Sequence, residues 1–320
     1  YEIPLRLVGS EMCIRDSYND AISAKNIWGL HTLNDVMYFF SADLENGLAL
    51  WKDDPINGVT LVKIVNPAEN GIWHSSLSIS KATNCGMIKV SEWSGDTLYF
   101  FADDGINGTE LWKSDGTDAG TIMVKDINPA GSSRWSHCHN SNSPWTTPVA
   151  TGAMIYFWAN DGTHGYELWK SDGTETGTVM VKDINVGSSG SYPSQLTVVD
   201  NVLYFLADDG INGCQLWKSE GHESDTVMVN STVSHDCYIS GTNEYFLNFG
   251  ASLYFRSDSG SSNFSGWVSD GTPERTNAIE GFNASDSVRG VSQWLFIHEN
   301  NMYIQVMSAP GIVTLVKISI

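Results

Sequence analysis

Residues 98–117 read LYFFADDGINGTELWKSDGT. Two aromatic-rich apolar runs flank Asp103-Asp104-Gly105-Ile106-Asn107-Gly108, and Ser114-Asp115-Gly116-Thr117 follows the second run. Asp-Gly and Asn-Gly steps supply the positive φ that tight hairpins need, so the stretch is predicted to run strand, hairpin, strand, turn. The same text returns at 154–174 (MIYFWANDGTHGYELWKSDGT) and at 202–222 (VLYFLADDGINGCQLWKSEGH). It recurs with more changes at 252–272 (SLYFRSDSGSSNFSGWVSDGT) and at 36–54 (VMYFFSADLENGLALWKDD). A sixth copy, MYIQV, begins at Met302 and keeps only its ends.

The anchors of these copies are Tyr38, Tyr99, Tyr156, Tyr204, Tyr254 and Tyr303. In the first five, a tryptophan lies 13 residues further on: Trp51, Trp112, Trp169, Trp217 and Trp267. Around each pair the sequence yields four short β-rich runs. An apolar run such as Gln195 to Val199 precedes a turn at Asp200-Asn201, and a last run such as Thr178 to Ile184 follows the Ser-Asp-Gly-Thr turn. A repeat of about 48 residues with four strands has the size of one propeller blade. The fold class expected is therefore all-β, a β-propeller of about six four-stranded blades. Approximate blade limits are 26–69, 74–129, 143–186, 193–232, 243–280 and 291–320, each running from its first strand to its fourth. The Tyr and Trp anchors are expected to pack blade against blade, because one four-stranded sheet cannot bury both of its faces by itself. The aspartate of Ser-Asp-Gly-Thr is expected to accept N–H bonds within its own turn.

The copies at 110–117 and 167–174, both ELWKSDGT, resemble the signature of the ELWxxDGT-repeat proteins. Those are predicted secreted or cell-surface bacterial β-propellers whose biochemical activity is generally unassigned. The resemblance covers nearly the whole repeat region. It implies an architecture and a secreted or surface location, and it implies no reaction. Copies one, four and six depart most from the signature.

Residues 1–17 (YEIPLRLVGSEMCIRDS) lack the basic start, apolar run and small-residue cleavage site of an export signal. Val8 to Asp16 resembles instead the translation of a sequencing-library adapter, so 1–17 is set aside and a single propeller domain is assigned to 18–320. The remaining sequence is still strongly acidic. The whole chain carries 17 basic and 37 acidic residues, a net charge of −20. Phosphate recognition needs Lys/Arg patches, so nucleic acid is excluded as a partner. No run approaches the ~18 apolar residues of a membrane span. Glycine numbers 30 while charged residues are only 17%, a balance that favours turns and strands over solvated helices.

In an up-and-down blade the hairpin between strands two and three shares a face with the crossover to the next blade. Two crossovers are long, 72–86 and 131–143, and bring Trp73, His74, Trp135, His137, His139 and, just beyond, Trp145. These are the candidate ligand-binding residues, since loops on a rigid scaffold carry function. Trp faces beside carboxylates suit sugar rings. The hairpin residues Asp103, Asp104, Asn160, Asp161, Asp208 and Asp209 offer oxygen ligands, which makes calcium the candidate cofactor. Their alternative role is turn formation and solubility. His137 and His139 with Cys138 offer, less specifically, a transition-metal start.

No Gly-x-Ser-x-Gly, His-Glu-x-x-His or phosphate-loop pattern occurs, and no catalytic residue is assigned. A sialidase would need an arginine cluster, and beyond residue 17 the chain has only Arg134, Arg256, Arg275 and Arg289. Cys85, Cys138, Cys214 and Cys237 remain once 1–17 is set aside. Cys85 and Cys138 sit in adjacent crossovers, which makes a bridge between them the favoured pairing. The functional expectation is a non-catalytic binding or adhesion module, secreted or at the cell surface, with an extracellular glycan or a surface protein as partner. Two alternatives are a polysaccharide-acting propeller glycoside hydrolase and a calcium-stabilised structural repeat protein.

Overall fold

The protein is described here by a computed structural model covering residues 27–43, 47–67, 88–90, 97–134, 148–152, 154–235, 246–258, 264–284, 295–298, 301–309 and 312–318. It forms two compact units, one within 1–141 and one within 142–320. The first unit holds two four-stranded antiparallel sheets. One is Ile27–Leu33 (β1), Val36–Asp43 (β2), Gly47–Asp54 (β3) and Gly58–Asn66 (β4). The other is Ile88–Val90 (β5), Thr97–Asp103 (β6), Thr109–Ser114 (β7) and Ile122–Lys125 (β8).

The second unit continues the pattern with Val149–Thr151 (β9), Met154–Asn160 (β10), Tyr166–Ser171 (β11) and Val179–Lys182 (β12). Then come Ser194–Val199 (β13), Val202–Asp208 (β14), Cys214–Ser219 (β15) and Val227–His235 (β16). Phe246–Phe249 (β17), Ser252–Asp258 (β18), Phe264–Ser269 (β19) and Asn277–Ala284 (β20) form the next sheet. In every one of these sheets, spatial order equals chain order. The fold is thus all-β, a β-propeller architecture of successive four-stranded up-and-down blades. Among the described residues the only helical pieces are two single 3-10 turns, Glu223–Asp225 and Pro273–Arg275. None is long and apolar enough to cross a membrane.

The last sheet differs from expectation. It has three described strands, Leu295–His298 (β21), Asn301–Ala309 (β22) and Ile312–Ile318 (β23). Sequence reading ends this copy on a fourth strand, but β23 stands in the third position. Ile304 faces Val316 just as Phe157 faces Trp169, so Val316 takes the tryptophan's place.

The constant 13-residue offset is the geometry of one hairpin. The residue after each tyrosine pairs with the tryptophan: Phe39 with Trp51, Phe100 with Trp112, Phe157 with Trp169, Phe205 with Trp217 and Phe255 with Trp267. Side chains alternate along a strand, so the Tyr and the Trp of one blade point to opposite faces. Each therefore serves a different blade junction. Tyr38 packs with Leu98, Phe100 and Trp112 of the next blade. Tyr156 packs with Leu203, Phe205 and Trp217, and Tyr204 with Phe246, Leu253, Phe255 and Trp267. The core is this series of apolar layers between sheets.

The Ser-Asp-Gly-Thr turn locks itself and the junction together. Ser114 Oγ bonds Thr121 Oγ1 at 2.7 Å and accepts the Gly116 N–H at 3.0 Å. Asp115 Oδ1 accepts from the N–H and hydroxyl of Thr117 at 2.9 and 2.7 Å. The Ser–Thr pair repeats at 2.7 Å as Ser171–Thr178, Ser219–Thr226 and Ser269–Thr276. The turn glycine has φ of +84° at Gly116, +102° at Gly221 and +87° at Gly271. A Cβ at these positions would overlap the phenol oxygen of Tyr38, Tyr156 and Tyr204, respectively, from the preceding blade. Lys52 Nζ adds a 3.0 Å bond to the Gly116 carbonyl.

Candidate functional site

The hairpin and crossover ends of the blades carry the sequence-predicted acids. Asp104 Oδ1 accepts the Ile106 and Asn107 N–H groups at 2.9 and 2.7 Å, and Oδ2 accepts the Asn107 amide at 2.7 Å. Asp209 repeats this with Ile211 and Asn212 at 2.9, 2.7 and 2.7 Å. Asp103, Asn160 and Asp208 each accept one N–H, from Gly105, Gly162 and Gly210, at 2.7 Å. Partial burial works against the charge of Asp104 and Asp209, but the turn N–H groups and the Asn amide outweigh it and hold both below the usual carboxylate range. Among the described residues no three His, Cys, Asp or Glu side chains converge as a metal set.

Asp161 has a different partner. Its Oδ1 accepts from Thr163 and His164 N–H at 2.8 and 2.9 Å, and its Oδ2 lies 2.7 Å from His164 Nδ1. That bond, more than the added attraction of nearby acids, raises the imidazole above its ordinary pKa.

Two further acids escape sequence reasoning. Glu110 and Glu167, in the ELW part of the signature, are fully buried. Glu110 accepts N–H groups of Ile127, Asn128 and Ser133 at 3.0, 3.4 and 3.0 Å. Glu167 accepts those of Ile184, Asn185 and Ser191 at 3.1, 3.2 and 2.8 Å, and the Ser191 hydroxyl at 2.5 Å. Burial dominates over these donors and pushes both carboxyls up to about 7. A raised carboxyl is a common mark of catalysis. Here the acceptor positions point into the crossover backbone, so each glutamate works as a staple that fixes the chain leaving its blade. The signal was in the copies themselves, because the equivalent residues are Ala49, Gln215 and Ser265.

Blade three differs from blades two and four at its hairpin end, although blade five also has an aromatic, Phe264, at the Tyr166 position. Trp158 and Tyr166 stand where blade two has Phe101 and Thr109 and blade four has Leu206 and Cys214. Trp158 and Tyr166 meet edge to face with centroids 4.9 Å apart, and Tyr192 tilts against Tyr166 at 5.7 Å. Tyr192 follows the stapled Ser191 with φ +51°, and its N–H donates to the Tyr166 carbonyl at 3.0 Å. The counterpart of Tyr192 in blade two is Arg134, buried with its guanidinium 4.2 Å above the Phe101 ring. Tyr166 is buried, whereas Trp158 and Tyr192 are partly exposed.

Trp73, His74, Trp135, His137, His139 and Trp145 lie outside the described residues, as do residues 1–17, Cys85, Cys138 and Cys237. Cys214, on β15, is disulfide-bonded, and the Cys85–Cys138 pairing lies outside the described residues.

No protein-family model and no curated protein matches the chain. Solved structures do. A puromycin hydrolase is 12% identical over 92% of this chain and 52% of its own, with a TM-score of 0.39. Oligopeptidase B from Leishmania major is 9% identical over 95% of this chain and 40% of its own, with a TM-score of 0.44. The β-propeller domain of the Trilobed protease from Pyrococcus furiosus is 11% identical over 92% of this chain and 83% of its own, with a TM-score of 0.42. The chain spans about half the length of the puromycin hydrolase.

Proposed function

We propose that this chain is a non-catalytic binding module, a secreted or cell-surface β-propeller of the ELWxxDGT-repeat kind that holds an extracellular glycan. The observation that carries the reading is how the acids at the hairpin end are used. Asp104, Asp161 and Asp209 are bonded within their own turns, and Glu110 and Glu167 are spent on crossover backbone. A glycosidase needs two carboxyls facing one bond across a substrate gap; these carboxyls instead hold the scaffold that presents the loops. Incubation with a panel of soluble polysaccharides, scored for both bound protein and released reducing ends, tests the reading. Binding without release of reducing ends is expected. Release that is lost in Glu110→Gln or Glu167→Gln would replace this reading with the hydrolase.

A further inference from the structure

We infer that Trp158 and Tyr192, with Tyr166 beneath them, form a stacking platform for one neutral or amino-sugar ring at the hairpin end of blade three. The inference rests on the glycan-binding reading and gives it a place. In a chain that repeats itself, positions needed by the fold recur from copy to copy, as the Tyr–Trp register and the Ser–Thr turn bond do. Blade three keeps all of those and also has the unaltered ELWKSDGT text. Its departures at the hairpin and crossover include Trp158, Asn160, Thr163, His164, Tyr166 and Tyr192, in place of Phe101, Asp103, Ile106, Asn107, Thr109 and Arg134.

Those departures are neighbours in space. Trp158 and Asn160 lie on one side of β10, Tyr166 pairs across from Asn160, and His164 sits in the hairpin between them. Planar aromatic faces with a few convergent polar groups are the usual make-up of a small-ligand site. A second observation is backbone strain. Tyr192 has the left-handed φ of +51° that a bulky residue enters only at a cost, and strain of this kind concentrates at ligand sites. Nothing in the turn itself calls for a tyrosine, since glycine would take that φ freely.

Charge narrows the ligand. Asp161 directly follows Asn160 in the chain and holds His164, and the chain as a whole is at −20, so uronic and sialic acids are repelled. The raised pKa of His164 does not reverse this, because its proton is shared with Asp161.

The test is affinity electrophoresis through gels containing soluble xylan, mixed-linkage β-glucan, galactomannan or glycol chitin, with alginate and polygalacturonate as anionic probes. Wild type, Tyr192→Gly and Trp158→Leu are compared, each with a thermal melt. At least one neutral or amino-sugar gel should retard the wild type and neither anionic gel should. Both variants should lose retardation at least tenfold, while Tyr192→Gly melts at or above the wild-type temperature because the strain is relieved. That last pairing keeps the test independent of any folding defect in Trp158→Leu. Retardation retained in a well-folded Tyr192→Gly would overturn the platform and leave glycan binding intact. No retardation of wild type in any gel would overturn both, and retardation in the anionic gels only would overturn the choice of ligand.

Discussion

The phenol oxygen of Tyr38 occupies the space that a side chain at Gly116 would need, although 78 residues separate them. Tyr156 stands in the same relation to Gly221, and Tyr204 to Gly271. The repeated tyrosine and the repeated turn glycine are therefore two halves of one contact, made between consecutive blades. Burial raises the pKa of the Tyr156 and Tyr204 phenols, which keeps each hydroxyl protonated at this contact.

Gly116→Ala should destabilise the protein by about 1–3 kcal/mol, since it adds both a left-handed φ penalty and an overlap. Gly131→Ala, where nothing lies within 4 Å of an added Cβ, should change stability by no more than about 0.5 kcal/mol. Tyr38→Phe should recover part of the Gly116→Ala loss. Urea titration of wild type, Gly116→Ala, Tyr38→Phe and the double variant checks this as a double-mutant cycle, with Gly131→Ala as the control, and strict additivity would rule the contact out.

Glu167→Ala should cost about 1–3 kcal/mol because three backbone N–H groups lose a buried acceptor. It should also raise hydrogen-exchange rates at Ile184, Asn185 and Ser191 before those of β10 and β11. Uniform faster exchange throughout the sheet would contradict a staple role.

The pH dependence has a definite sign. The folded-state pKa of Glu110 and Glu167, about 7, lies above the ordinary 4.5. Their stabilising contribution is then complete below about 4.5 and declines as pH rises through 7. Melting temperatures of wild type relative to Glu167→Gln should fall between pH 4.5 and 7 and level off above. A flat or rising difference would show that the N–H donors outweigh burial.

Asp104 and Asp209 run the opposite way. Their depressed pKa values mean that the contribution is present above the ordinary 3.8 and is lost as pH falls below it. Asp104→Ala should cost about 1 kcal/mol through the hairpin bonds it breaks. Millimolar Ca²⁺ should raise the melting temperature no more than Mg²⁺ does when the hairpin acids serve the turn alone. A calcium-specific rise that disappears in Asp104→Ala would make the hairpin a cation site.

Local features were the readable ones. The offset of 13 belongs to one hairpin, and Asp200-Asn201 turns with φ of +48° and +64° as its composition foretold. The Ser-Asp-Gly-Thr bonds also close within one short segment. What stayed hidden depends on distance along the chain. The donors to Glu110 lie 17 to 23 residues away, and the tyrosine that fills the space at Gly221 belongs to another blade. The platform could have been found by comparing copies for what differs, since Trp158 stands where the other copies have Phe40, Phe101, Leu206, Arg256 and Gln305. The crossover candidates Trp73, Trp135 and Trp145 lie outside the described residues. Blade six misled because MYIQV keeps no tryptophan to mark its third strand.

On the function proposed above, the repeated residues hold the scaffold while the blade-three exceptions hold a sugar. The most direct measurement is an NMR titration of the labelled protein with an oligosaccharide cut from whichever neutral or amino-sugar polysaccharide retards it. Saturable shifts are expected at the Trp158 indole and Tyr192 amide, with no shifts at Gly116 or Gly221 and anomeric signals of the sugar that stay unchanged for days. Shifts centred on Asp104 or Asp209 with Trp158 silent would contradict it, and so would new anomeric signals from a cleaved sugar.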